Sequence, residues 1–296
     1  VIGDTWAAVQ TAHPLTGGTT TFDVTLSIAQ SSGAVVEASG SPLAAYLSPS
    51  MGVTFGSDRK LQVLVVGDQY DQPGKTSAPA GRNTATIATK TAGVAFTARV
   101  NAVDANWNRI TNDNTTTVTL VTDDPYDTNP VPAGLVNGSI TFSVTLVRVS
   151  TGTTLNGSGG VYAGGASDPV PGTYNAKDRL QVIVPGETHV NGWVANSGKS
   201  GAPATQTAGL AFGATVYATD AYWNTRTDDN VTSVGLTTQD PYDAEPSARG
   251  LVSGTTQFSL TLVTATTGWT VTASTSAGSI YIRGTTTAVP VLANSS

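Results

Sequence analysis

The chain has 296 residues, no cysteine, a formal net charge of −6 and only 11% charged residues. Without cysteine there is no disulfide framework and no thiolate metal site; the basic residues are few and scattered, which argues against nucleic acid as a partner, since phosphate binding needs clustered Lys and Arg. No apolar run approaches the ~18 residues of a membrane span, and the chain opens at Val1 with no leader pattern, so it reads as a processed chain or a segment of a longer one.

Taken in order, the first strand signal is GGTTTFDVTL at 17–26, where Phe22, Val24 and Leu26 alternate with polar residues. Period two with one wet face is a half-buried strand. The segment matches NGSITFSVTL at 137–146, and carried backwards the same offset sets Asp4 on Asp124, Trp6 on Tyr126 and Leu15 on Leu135. KLQVLVVGD at 60–68 matches RLQVIVPGE at 179–187. Residues 1–90 are therefore expected to be a partial repeat, lacking what corresponds to roughly 92–120.

The next stretch is written twice. Residues 92–146 run from AGVAFTARVNAVDANWNRIT through VTLVTDDPYD to LVNGSITFSVTL, and residues 208–262 repeat them without a gap. Trp107 answers Trp223, Tyr126 answers Tyr242 and Phe142 answers Phe258, each 116 residues later. A fixed offset over that length is a tandem repeat of whole domains. The expected units are 1–90, 91–206 and 207–296. Strands recur at short spacing between Gly, Asn, Asp and Pro turns, and no long helical period is present, so each unit is expected to be a β-sandwich.

Between these strands lie connecting stretches. Residues 70–91 and 192–207 carry GKT or GKS and read as linkers of fixed length; the glycine spacing of a phosphate loop is absent. Residues 159–178 form a Gly/Pro-rich stretch, read as an exposed crossover or a binding loop. The third copy is shorter there, from SAGSIYIRGTTT to AVPVLA. Asn-x-Ser/Thr acceptor sites stand at Asn114, Asn137, Asn156, Asn230 and Asn294.

AFTARVNAVDANWN and AFGATVYATDAYWN resemble the opening strand and turn of the bacterial immunoglobulin-like (Big/invasin-type) repeats of cell-surface and appendage proteins. GSITFSVTL and GTTQFSLTL are similar to a later strand of that unit. The resemblance covers both full copies and the back half of the first. It implies an all-β chain of tandem immunoglobulin-like β-sandwich domains in a rod, the first lacking its opening strands. It also implies a surface or extracellular protein, without naming a ligand.

Candidate chemistry is sparse. Asp104, Asn106 and Asn108 offer oxygens at alternate positions, with Asp124 and Asp127 following; the second copy keeps Asp220, Asn224, Asp240 and Asp243. Such a pattern suits a hard cation such as Ca²⁺. The competing reading makes DANWN a turn that Asp and Asn cap through their own backbone, with the Trp covering the sandwich edge. Only three Glu and two His exist, none at matching repeat positions, and no nucleophile motif stands beside them, so an enzyme is not expected. His13 and His189 read as exposed structural residues. Trp6, Trp193 and Trp269 do not recur and are candidate interface residues.

A sandwich lacking its opening strands exposes a sheet edge and part of its core. Either another copy covers the gap, by donating strands or packing a terminal domain, or the natural chain continues upstream. The expected function is a structural subunit of an extracellular or cell-surface filament or stalk, assembling head to tail. The alternatives are an adhesin or carbohydrate-binding module, taking surface glycans through the 159–178 loop and unmatched aromatics such as Trp193, and the spacer region of a secreted hydrolase.

Overall fold

The computed structural model describes residues 1–8, 10–275 and 281–294. Strand dominates, and the single 3₁₀ turn among the described residues is Val194–Asn196. Two closed hydrophobic cores organise the chain. One gathers Leu61, Val63, Val100, Leu120, Phe142, Leu155, Tyr162 and Val170; the other gathers Leu180, Val182, Val216, Leu236, Phe258, Val271, Tyr281 and Val289.

Each core lies between two antiparallel layers, which in the earlier unit are joined into one sheet by a parallel bridge between Ala163 and Lys60. In the later unit, Phe212–Thr219 is flanked by Arg179–Ile183 and Thr255–Leu260, and opposite it Ser233–Thr238 is flanked by Arg249–Gly250 and Val271–Thr275. The earlier unit repeats the plan: Phe96–Val103 lies between Lys60–Val65 and Ser139–Val144, and Thr117–Thr122 pairs Leu155–Gly159 and Ala133–Gly134. A short parallel pair closes the side of each sandwich, Lys90–Thr91 with Gly172–Thr173 and Gln206–Thr207 with Val291–Leu292. The fold is a tandem of all-β, immunoglobulin-like sandwiches.

The packing units are displaced from the expected ones. Lys60–Val65 is hydrogen-bonded to Phe96–Val103 along its whole length, and Leu61, Val63 and Val65 point into the same core as Val100. Arg179–Ile183 does the same beside Phe212–Thr219. Packing boundaries therefore fall between Met51–Val53 and Lys60, and between Gly172–Thr173 and Arg179, and cuts at 90/91 or 206/207 pass through a sandwich. The stretches 70–91 and 192–207 are excursions within a unit rather than linkers between units. Lys199–Gly201 pairs Glu187–His189, and the Lys199 ammonium donates to the Val182 carbonyl at 2.8 Å.

The 159–178 stretch is likewise no free crossover. Tyr162–Ala166 pairs Leu155–Gly159, and the Tyr162 hydroxyl donates to Asp113 at 2.7 Å from inside the sandwich. Tyr281 donates in the same way to Asp229, at 2.8 Å. Residues 276–280 of the shorter third-copy stretch lie outside the described residues.

Residues 1–53 hold only the back half of the unit. Gln30–Ala34 pairs Met51–Val53, and Glu37–Gly40 pairs Leu43–Leu47, matching the Leu155–Gly159 and Tyr162–Ala166 hairpin. Among the described residues of 1–53 no strand corresponds to Lys60–Val65, Phe96–Val103 or Thr117–Thr122, so the part of the unit not found in them is wider than the counterpart of 92–120. The burial follows: Leu15, Phe22 and Leu43 are 54%, 43% and 65% exposed, whereas their counterparts Leu135, Phe142 and Tyr162 are 1%, 4% and 6% exposed.

That contrast predicts unequal costs for one substitution. Phe142→Ala should destabilise its sandwich by about 3–5 kcal/mol, whereas Phe22→Ala should leave the denaturant midpoints of both closed sandwiches in place. Equal effects in urea unfolding followed by tryptophan fluorescence would contradict the open half-unit.

Candidate interaction site at the joints between units

The Asp-x-x-x-Asn turns sit where one unit meets the unit before it. Asp104 Oδ1 accepts from the N–H groups of Asn106 and Asn108, both at 2.9 Å, and Oδ2 accepts from Gly56 N–H at 2.7 Å. Asp220 repeats this with Tyr222, Asn224 and Asn175, at 2.8, 2.9 and 2.8 Å. Such side-chain capping holds the intervening tryptophans left-handed, Trp107 at φ 65° and Trp223 at φ 66°, a conformation that costs a bulky residue.

Each tryptophan lies within its own unit. The Lys60 ammonium is 3.5 Å from the Trp107 ring centroid, and the Arg179 guanidinium is 4.8 Å from that of Trp223. Gly81 and Gly198 lie against the same two rings, where a β-carbon would collide. The two environments match.

The asparagine that ends each turn reaches the preceding unit. Asn108 Oδ1 accepts from Ala29 N–H at 2.8 Å while its Nδ2 donates to the Ser27 carbonyl at 2.9 Å. Asn224 Oδ1 accepts from Val149 N–H at 2.9 Å while its Nδ2 donates to the Val147 carbonyl at 2.8 Å. A side-chain amide thus replaces one residue of a neighbouring strand, satisfying a donor and an acceptor two residues apart. Both asparagines are buried, Asn224 completely, so each bond is made away from competing water.

A second aspartate holds the segment that receives the asparagine. Asp124 Oδ2 accepts from Val147 and Arg148 N–H, both at 2.9 Å. Asp4 does so with Ser27 and Ile28, at 2.5 and 3.0 Å, and Asp240 with Val263 and Thr264, at 2.7 and 2.8 Å. At Asp240 burial opposes the charged form, but these N–H groups and the Thr264 hydroxyl outweigh it and hold the carboxyl below the usual range. Asp4 is lowered by the same balance.

Aromatic contacts complete the joints. Tyr126 stacks on Trp193, ring centroids 5.7 Å apart, and Tyr222 lies on Gly93. In the earlier joint Trp6 stands where Tyr126 stands, lying against Gly74 with the Lys75 ammonium 5.9 Å from its ring. Trp6 and Trp193 are therefore joint residues. Trp269 stays inside its unit, its indole N–H donating to the Thr264 carbonyl at 2.9 Å.

The cation candidates are thus distributed over separate tasks. The side-chain oxygens of Asp104, Asn108, Asp124, Asp220, Asn224 and Asp240 accept from backbone or amide N–H groups, which take up the lone pairs a cation would need. Asn106 contributes its carbonyl to Gly74 N–H at 2.8 Å. Asp127 and Asp243 accept from Thr122 and Thr238 hydroxyls, both at 2.8 Å; Asp127 Oδ1 is buried without a partner, and burial together with Asp124 and Asp123 raises its pKa. Among the described residues no three His, Cys, Asp or Glu converge on one point, so this donor set does not fit a Ca²⁺ cage.

His189 is partly buried rather than exposed, a correction to the sequence expectation; His13 is exposed, as expected. The His189 ring stacks on Tyr217 with centroids 4.2 Å apart, and its nitrogens meet Gln181 at 2.5 Å, Asn191 at 2.9 Å and Thr225 at 3.0 Å. Burial lowers its pKa below 6.5, outweighing the Asn191 bond.

The sequence does not predict the asparagine bridges, although Asn108 and Asn224 recur four residues after Asp104 and Asp220. Asn224→Ala should leave the Val147 carbonyl and Val149 N–H unpaired, loosening that joint by about 1–3 kcal/mol. Faster hydrogen exchange at Val149, with the two sandwich cores unchanged, is the expected result. For His189 the folded state resists protonation, so stability is full above about pH 6.5 and falls as the pH drops below it. The melting temperature of the third unit should fall between pH 7 and pH 5, and His189→Gln should flatten that slope.

No family model and no curated protein sequence matches the chain. Among solved structures it is similar to the Escherichia coli adhesin FdeC, at 13% identity over 82% of this chain and 68% of that one, with a TM-score of 0.29. It is similar to the Yersinia pseudotuberculosis adhesin InvE, at 14% identity over 79% of this chain and 58% of that one, with a TM-score of 0.28. A glycosyl hydrolase family 2 member from Bacteroides cellulosilyticus matches at 10% identity over 80% of this chain and 29% of that one, with a TM-score of 0.28.

Proposed function

We propose that the protein is a structural element of an extracellular or cell-surface stalk or filament, in which sandwich units are set in series by stiff joints. The observation that carries this reading is the joint itself, built twice from the same parts. Asn108 and Asn224 bridge the preceding backbone in the same way, and an aspartate secures the receiving segment each time. A flexible tether between independent modules needs none of these bonds. The joint offers a way to transmit position and force along a chain, with no chemistry performed.

Another copy of the chain is the partner we propose for the open apolar face of residues 1–53. The strands of the second and third units are engaged in their own cores, which leaves no described strand of theirs to donate. The contact is accordingly face on face at Phe22, Leu43 and Leu47, where burial of exposed apolar area drives association. The glycan-binding alternative leaned on Trp193 and the 159–178 stretch; the Trp193 ring is stacked on Tyr126, and that stretch is part of the sandwich.

Electron microscopy and small-angle scattering of the native material test the proposal. Elongated particles with a fixed spacing between units are expected, joined in pairs through their first units. Compact particles, or units that reorient freely about Val149, would overturn it.

A further inference from the structure

The outer end of the third unit carries the receiving half of a joint, and among the described residues no asparagine turn is seated on it. Its parts are those of the second unit's end, shifted along the repeat. Asp240 grips Val263 and Thr264 N–H as Asp124 grips Val147 and Arg148. The Val263 carbonyl and Ala265 N–H stand where the Val147 carbonyl and Val149 N–H stand, and no asparagine among the described residues reaches them. Tyr242, the counterpart of Tyr126, is 79% exposed, with no ring stacked on it among the described residues. Gly209, the counterpart of Gly93, has φ 79° against 75° and so presents the same bare backbone, but open space lies over it where Tyr222 covers Gly93.

We infer that this end face is a docking site for a further immunoglobulin-like unit bearing an undocked Asp-x-x-x-Asn turn with an aromatic residue between the two. The occupant's asparagine is set by both filled joints, and its aromatic contacts by the later one, where Tyr222 lies on Gly93 and Trp193 stacks on Tyr126. Its asparagine amide bridges the Val263 carbonyl and Ala265 N–H, the residue two before that asparagine lies on Gly209, and a second aromatic from its excursion stacks on Tyr242. A second copy of residues 1–294 is not the occupant, because both of its turns, at Asp104–Asn108 and Asp220–Asn224, are already docked on its own preceding units. The face is pre-organised: Asp240 holds the receiving backbone in place before anything binds, which lowers the ordering cost of docking.

This inference rests on the stiff-joint reading and is tested so that the two can fail separately. Asn294 stands, relative to the Val291–Leu292 strand, where Asn175 stands relative to Gly172–Thr173. A chain in which residues 176–294 are repeated after Asn294 therefore offers the face a unit with a free turn at the native spacing. Hydrogen exchange at Ala265 should slow by about tenfold relative to the unextended chain, the effect of one bond worth about 1.4 kcal/mol. Asn→Ala at the position of Asn224 in the added unit alone should return Ala265 to its original rate. Ala265 exchanging at the unextended rate while Val149 stays protected would overturn the inference and leave the stiff-joint reading standing; loss of protection at both would sink the two together. Retained fluorescence of the added unit's tryptophans establishes that it has folded.

Discussion

One side-chain amide, placed with both its donor and its acceptor against the main chain of the unit before, is the contact on which the arrangement of this molecule depends. Without Asn108 and Asn224, the sandwiches would keep aromatic contacts, the close approach of Gly74 to Ile28 and of Gly192 to Arg148, and a stretch of connecting backbone. With them, each unit closes a hydrogen-bonded ring onto its predecessor. Such a bridge demands that the receiving segment already be in place. Asp4 and Asp124 meet that demand, because a carboxylate accepting two adjacent N–H groups fixes the direction of the carbonyl and N–H on either side of them. The same residue types that resemble cation ligands on paper are thus used as internal acceptors.

A chain with few charges makes this economy intelligible. Ion pairs are sparse, and most lie within one unit. Specificity of assembly has instead been placed in short Asp and Asn side chains that lose little conformational freedom on ordering and that pair with backbone rather than with flexible Lys or Arg. Within each sandwich the same device recurs, with Tyr162 on Asp113 and Tyr281 on Asp229 pinning the Tyr162–Ala166 strand and its counterpart to the turn after Ile110 or Arg226. At Asp229 the Lys177 ammonium lies at 2.7 Å as well, and these bonds outweigh burial to keep the carboxyl charged.

The first unit is the exception. Its back half folds onto the next unit through Asp4, Trp6 and Asn108, yet its apolar residues face outward because the strands that cover their counterparts are not among residues 1–53.

Much of this was legible in the letters. Alternation at Phe142–Leu146 and Phe258–Leu262, the fixed spacing of Trp107 and Trp223, and the alignment of Asp4 with Asp124 follow from side-chain period and repetition. They determined the all-β class, the tandem units and the incompleteness of the first. The phase of the repeat was not legible, since a periodic sequence can be cut anywhere. Only hydrogen bonding between Lys60–Val65 and Phe96–Val103 decides that the earlier strand opens the unit rather than ending the one before. Nor could spacing tell whether Asn224 turns toward its own loop or its neighbour, or that Trp193 meets Tyr126. Those contacts join residues far apart in the chain, and such pairings exist only once strand order has brought the ends of two sandwiches together.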